Sequence, residues 1–578
     1  MANISTSRSA ASSRRGALRI FGVAAAVVVA AASLIRGAAP RFYADDPLWI
    51  DDDRAFDASR AVPLEDLNSF DFVSNTFVKP GERRDVRAMN VNSLDEVPDS
   101  MWFTNRIGRR GMSVPEIVRG PDRRELEGHL DLAGWMVTAG KSSGLQPGFR
   151  MTDPSGHLFQ VEVDPPSNPE LTSGAEIIGT AFYHAFGYHT VDVYAAEIDA
   201  DRLVISERAT IRDPLNGKRR RMTRRDLDEV FKRAARQPNG RYRVILSRFA
   251  DGKPLGNFRY YGTRPDDPND IVPHEHRREL RGARVFAAWL NHDDSRGINS
   301  LDMLEQAGGT SYVRHYMFDF GSILGSGTIF AQRHRPGNEY ILEWKPGWLT
   351  LATLGIYTRP WMLIDYPDVP PSVGRFEGDA FDPVKWKPEY PNPAFENMRA
   401  DDAFWAARIV SKFNDEMIRA VVGKARYGDP KATEYISGAL IKRRDKVLAT
   451  WLNQVNPVVN VALSGVGELT FENAAVNART ATPAESYSLR WFRFDNAVDT
   501  RSDVGETVVV AGLRSQAPAE LLNSGSEYVG VTITARHPQQ TGWARPGTFH
   551  FRRAAPERGP LRGSRGESPA WETVGVER

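Results

Sequence analysis

Two stretches of this 578-residue chain carry side chains that could do chemistry together. Residues 291–299 read NHDDSRGIN, which places His292, Asp294, Arg296 and Asn299 on one short polar segment, and Asp319-Phe320-Gly321 follows about twenty residues later. A carboxylate that can take a proton from a hydroxyl, a cation beside it, and an amide and a second carboxylate able to hold a hard metal ion are the groups that phosphoryl transfer requires. A polar loop that merely ends the preceding helix would have a similar composition. The second stretch favours the chemical reading: the alternating apolar run YVRHYMF before Asp319 predicts a strand that delivers its carboxylate to a fixed place.

Those loops need elements to position them. From Trp135 onward, short apolar alternations flank Gly140, Gly144, Gly148 and the DPSG turn, which predicts strands joined by tight turns. PELTSGAEIIGTAFYHAFGYHT then has the apolar spacing of an amphipathic helix opened by Thr172 or Ser173. TVDVYAAEI, DRLVISERATI and YRVILSRF read as further strands. Beyond residue 262 the patterning turns helical, over RRELRGARVFAAWL, DDAFWAARIVSKFNDEMIRAVVG and ATEYISGALIKRRDKVLATWL. After about Asn456 it changes again to short strands separated by turn residues, the pattern of a sandwich. The 13 tryptophans are expected to pack in cores.

His292-x-Asp294-x-x-x-x-Asn299 followed by Asp319-Phe320-Gly321 resembles the protein-kinase-like superfamily, and more closely its atypical bacterial branches of the HipA and CotH types. The chain also resembles a family of exported bacterial proteins of unassigned function, through VDPPSNPELTSGAE, FRYYGTRPDDPND, HEHRRELRG and NHDDSRGINS. The resemblance covers most of the chain after residue 40. It implies an α+β protein: a two-lobed kinase-like domain over residues 132–455, with a sheet-rich lobe to about residue 262 and a helical lobe thereafter. An extended arm over 41–131 would precede it, and an all-β, sandwich-like domain over 456–578 would follow.

The resemblance also implies roles. Asp294 would be the catalytic base, Arg296 the cation near the transferred phosphate, and His292 part of the catalytic loop. Asn299 and Asp319 would be Mg²⁺ ligands, ATP the nucleotide, and Glu176 the helix carboxylate that pairs with a nucleotide-binding lysine. The strand HLFQVEVDPP departs from that pattern, since it carries Glu162 where a lysine is expected, and a carboxylate facing phosphates is repulsive. Lys141, in the glycine turn with Gly144, or Arg150 on the next strand could supply the charge; the alternative is a kinase fold without catalysis. The glycine turn itself reads equally as a cover for phosphates or as a purely structural turn. HEHRRE has zinc-ligand residue types but not the H-E-x-x-H order, and reads as a helix entry.

Composition bounds the remaining classes. A net charge of +2 gives no global field for nucleic acid, and the basic run Lys218 to Arg225 reads as a turn and a helix start capped by Thr223. Without cysteine there are no disulfides, thiolate metal sites or thiol nucleophile. Arg8, Arg14, Arg15 and Arg19 precede an uncharged apolar run, Ile20 to Ile35, which suits an export signal or an uncleaved anchor within residues 1–40. The expected location is therefore the periplasm or cell surface. The expected partners are a protein or small-molecule hydroxyl acceptor, and an envelope component on the C-terminal β domain.

Overall fold

The computed structural model describes residues 39–64, 68–122, 132–141, 144–213, 216–554 and 571–578. The expected export segment, up to residue 38, lies outside them. No helix among the described residues is long and apolar enough to cross a membrane.

The chain is mixed α+β, with a β-rich C-terminal part. Strands β1 (Met136–Gly140), β2 (Gly148–Thr152) and β3 (Leu158–Val163) form an antiparallel meander. The sheet is completed by β4 (Val193–Ile198), β5 (Val204–Arg212), β6 (Arg219–Arg221) and β7 (Tyr242–Arg248), in the order β4-β7-β3-β2-β1-β5-β6. Glycine is required at two places in the meander. A Cβ on Gly148 would run into the carbonyl oxygen of Val161, and one on Gly140 would lie 2.5 Å from Ile211 Cγ1. The close backbone approach thus explains those two glycines, whereas Gly144 is exposed at the turn with φ near 88°.

Helix α1 (Asn68–Val73), continued by a wider turn Ser74–Val78, belongs to the N-terminal stretch. That stretch is stitched to later elements by backbone hydrogen bonds: Ala58 N–H to Ser311 O, Leu64 N–H to Leu255 O and Met89 N–H to His276 O. Helix α2 (Leu171–Phe186) joins β3 to β4 and is buried on nearly every side. One side, through Ile177, packs on Val193 and Ile245 of the sheet, while Phe182, Tyr183 and Phe186 enter the helical core. Its start differs from the expected one. Leu171 is already helical, and the backbone N–H groups of Thr172 and Ser173 are capped by the Asp164 carboxylate rather than by their own hydroxyls. Helix α3 (Arg224–Phe231) covers the other face of the sheet and is capped by Thr223 through a capping box with Asp226, as expected, but Arg219–Arg221 of the basic run form strand β6 rather than a turn.

Helix α4 (Arg278–Leu290) leads into the NHDDSRGIN loop, and β9 (Ser300–Ala307) and β10 (Thr310–Met317) after it join β8 (Lys253–Gly256) before it in a small sheet. His274–His276 is a single 3-10 turn that enters α4, with His274 on Asp270 and His276 on Arg281 and Glu82. α5 (Trp344–Ala352) buries none of its residues. The stretch read as one helical run from Asp401 is two helices, α6 (Ala400–Val410) and α7 (Asp415–Lys424), because Asn414 turns its side chain onto Met417 N–H and starts a new helix. α8 (Pro430–Trp451) closes this part.

The C-terminal strands form two sheets. β11 (Val458–Leu463), β12 (Glu468–Asn473) and β15 (Arg514–Gln516) make the smaller one; β13 (Ser486–Asp495), β14 (Thr500–Val510), β16 (Tyr528–Arg536), β17 (Gly547–Arg553) and β18 (Trp571–Glu577) make the larger, in the order β14-β13-β16-β17-β18. One apolar cluster runs without a break from α2 and α4 through Trp451 of α8 to Leu469, Trp491 and Val529. The N-terminal residues reach this part too: the side chain of Asn496 accepts from Phe42 N–H and donates to Phe42 O.

Candidate functional site

The loop after α4 owes its direction to Asn291, which ends the helix in the left-handed conformation at φ 53°. Its side chain accepts from Trp386 Nε1 at 2.9 Å. His292 then turns inward. Its Nδ1 shares a 2.8 Å hydrogen bond with the Tyr183 hydroxyl, and its ring lies 5.6 Å from that of Phe320, which stacks on Tyr183 at 4.4 Å. Burial, followed by the nearby Arg296 cation, lowers its pKa to about 3, so the ring is neutral. His292 therefore ties the loop to α2 and to the Asp-Phe-Gly turn; it is not placed to exchange protons with solvent.

Asp294 is ion-paired with Arg296, whose Nη1 also donates to Glu389 Oε2 at 2.6 Å. Burial raises the pKa of Asp294, opposed by Arg296. Burial likewise pulls that of Arg296 down, but the carboxylates of Asp294 and Glu389 more than reverse this. Asn299 donates from Nδ2 to the Asp294 carbonyl at 2.8 Å, bracing the loop and leaving its amide oxygen as an acceptor. Beside them lies Asp293, a residue the motif did not single out. Burial, then the Asp294 charge, pushes it up to about 8, and Gln332 Nε2 donates to it at 2.5 Å.

Asp319 takes the left-handed conformation at φ 62°. It lies in a cleft that solvent enters, yet is ringed by protein. That confinement and the carboxylates of Glu162 and Asp294 push it up to about 7, against Lys141 and Arg296. Glu176 reaches the same turn from α2. Its carboxylate accepts from the backbone N–H groups of Phe320 and Gly321, and burial together with Asp319 and Glu162 raises its pKa well above the usual range. A Cβ at Gly321 would stand 3.7 Å from both Asp319 Oδ1 and Glu176 Oε2, which places both carboxylates beside that glycine.

Lys141 extends from the end of β1 across the turn, so that its Nζ pairs with the Glu162 carboxylate and donates to Gln146 O at 3.1 Å. The helix carboxylate expected to meet a lysine thus meets backbone N–H groups, and the lysine meets the strand carboxylate. Arg150 takes no part, because its guanidinium lies over the Phe249 ring, 5.3 Å from the centroid.

The structure thus brings Lys141, Glu162, Glu176, Asp294, Arg296, Asn299 and Asp319 around one cleft between the large sheet and the helices. Gly144 stays at the rim, and His292 is set behind it. Sequence reasoning missed Glu389, Tyr390 and Asp71: Tyr390 OH donates to Asp71 Oδ2 at 2.6 Å, and Arg296 lies over the Tyr390 ring. Glu389 and Asp71 stand 93 and 319 residues from their partners, so no local pattern marks them. Asp293 was within reach of the motif, as the first acid of HDDS. Among the described residues no group of three or more His, Asp or Glu side chains has metal-ligand spacing. No family model, curated protein or solved structure matches the chain.

Proposed function

We propose that the chain is an exported kinase-like phosphotransferase that moves the terminal phosphoryl group of ATP to a hydroxyl of a protein or small molecule, with Mg²⁺ at Asp319 and Asn299. The observation that carries this reading is the convergence of the Asp294 loop, the Asp319 turn, Glu176 and Lys141 on one cleft from four separate parts of the chain. In outline, Asp294 accepts the proton of the acceptor hydroxyl as its oxygen bonds to phosphorus and the bond to the diphosphate leaving group breaks. Arg296, fixed by Glu389, holds Asp294 in place; Lys141 is the cation within reach of the phosphates; Glu176 fixes the turn that presents Asp319.

The donors suit a hard cation, being carboxylate and amide oxygens only. The crowding of Glu162, Asp294 and Glu176 around Asp319 is the charge imbalance such a cation relieves. When bound, Mg²⁺ would neutralise phosphate oxygens and orient the terminal group. The test is thermal unfolding of the protein with MgATP or MnATP, since a ligand of the folded state raises its apparent stability. A shift that disappears in Asp319→Asn supports the site, and no shift with either metal refutes nucleotide binding.

One observation favours a second reading, a kinase-shaped scaffold that binds an envelope ligand or partner without catalysis. Lys141 is already neutralised by Glu162, and among the described residues Glu176 forms no ion pair. That reading expects binding through residues 456–578 and indifference to substitution of Asp294 and Asp319.

A further inference from the structure

The segment from Trp344 to Ile364 departs from the rest of the molecule in how it shows apolar side chains. Helix α5 buries nothing, although Trp344, Trp348 and Leu351 recur along one of its sides. Trp348 is 63 % exposed, and beyond the helix Ile356 and Leu354 reach 83 % and 91 %. Isolated exposed apolar residues are ordinary, but a continuous run of large ones marks a surface that something covers. The neighbouring contacts extend this surface. Ile341 N–H donates to Glu389 O at 2.8 Å, and the next residue, Tyr390, meets Phe72 of α1 with ring centroids 5.6 Å apart. On that side Phe70, Phe77 and Val78 are exposed as well. The two apolar patches therefore flank Glu389 and Tyr390, at the edge of the candidate site.

The chemistry of the segment selects the occupant. No Asp or Glu occurs between Trp344 and Ile364, and the charged residues within it are Lys345 and Arg359, the latter paired with Glu339; Glu343 before it is paired with Lys387, and Asp365 and Asp368 beyond it are exposed. Lys345, and Lys79 next to Val78, are exposed and form no ion pair among the described residues. Tryptophan, leucine and unpaired lysine on one surface match the interfacial zone of a bilayer, where indole rings sit at the headgroup level and cations meet anionic lipid. An arginine-flanked apolar run, Ile20 to Ile35, which reads as an export signal or an uncleaved anchor, would in the second case hold the chain at a membrane. We infer that the α5 segment, with the exposed edge of α1, docks on an anionic lipid surface and so holds the candidate cleft at the membrane face. This inference does not depend on phosphoryl transfer.

The absence of cysteine permits a direct test on the full chain. Leu354→Cys, and as a control outside that surface Val466→Cys in the turn between β11 and β12, are each labelled with an environment-sensitive fluorophore. They are mixed with phosphatidylcholine vesicles with and without phosphatidylglycerol. The expected result is a blue shift at position 354 that is larger with the anionic lipid and absent at position 466. Adding Trp348→Glu and Leu351→Glu should weaken it more than about tenfold, with the unfolding midpoint unchanged because both side chains are exposed. Equal shifts at the two positions would mean tethering by the N-terminal run alone, and no shift would mean no docking; either overturns the inference. A shift that grows with protein concentration in the absence of vesicles would assign the surface to a second copy of the chain, and would overturn it too.

Discussion

Replacing Asp293 by asparagine should stabilise the protein, and more so as pH rises. Burial and the neighbouring Asp294 carboxylate move Asp293 from the ordinary 3.8 to about 8. Between those values the folded protein holds a proton on Asp293 that the unfolded chain releases, so the folded state binds more protons and stability falls as pH rises. One such group contributes a slope of about 1.4 kcal/mol per pH unit. Asparagine keeps the oxygen that accepts from Gln332 Nε2 and removes the titration. Asp319, Glu176 and every other group titrate in both proteins, so the difference between them isolates position 293. The assay is urea unfolding of both proteins at pH 5, 6, 7 and 8. The stability gained by Asp293→Asn should grow by on the order of 1 kcal/mol per pH unit across this range and level off above about 8. Parallel pH profiles would refute the reasoning, since they would mean that Asp293 ionises in the folded protein as it does in the unfolded one.

Arg278 is fully buried and pairs with Asp95 at 2.7 Å, Asp401 at 2.8 Å and Asp402 at 3.0 Å. Arg278→Met leaves three carboxylates facing one another, and should cost about 3–5 kcal/mol or more in denaturant unfolding. Gly148→Ala should destabilise by about 1–3 kcal/mol, because its Cβ meets the Val161 carbonyl, whereas Gly144→Ala, whose Cβ meets only the flexible Lys141 side chain, should cost about 1–2 kcal/mol through its positive φ. Under the phosphotransferase reading, Glu162→Gln frees Lys141 and should tighten nucleotide binding about tenfold, while Lys141→Ala should weaken it; calorimetric titration with MgATP reads both, and a weaker Glu162→Gln would show that Glu162 itself serves the ligand.

Much of the fold is written locally. The strand meander shows in alternation between glycines, and the loop and turn that carry Asp294, Asn299 and Asp319 show in their spacing. What the chain does not announce is which of several compatible partners a charged group takes. Glu176 could have met a lysine or a helix-like pair of backbone N–H groups. The turn after β10 offers those N–H groups directly beneath α2, whereas Lys141 lies nearer to Glu162. Asp164, just after β3, caps α2, where Thr172 or Ser173 is the cap the sequence predicts. The tryptophans divide in the same way. Trp289, Trp405, Trp451, Trp491 and Trp543 are fully buried as expected, but Trp344 and Trp348 stand largely in solvent on a helix that buries none of its residues. Composition foretells burial only where a folding partner exists.

The placement of Glu162 bears on both functional readings through charge alone. Glu162, Glu176, Asp294 and Asp319 share a cleft with two cations, Lys141 and Arg296; burial raises the pKa of Glu176, Asp294 and Asp319, and neighbouring carboxylates add to it. Adding a nucleoside triphosphate to that cleft adds only negative charge, so the site can receive one only together with divalent cation. A working enzyme of this design would therefore bind metal and nucleotide with strong mutual dependence, each poorly alone. A scaffold would show no such coupling, because its acidic cleft would be satisfied by protons. Titrating ATP with and without Mg²⁺ at pH 8, where Asp319 is ionised, separates the two: binding in the presence of the metal alone supports the phosphotransferase, and equal binding under both conditions would sink it.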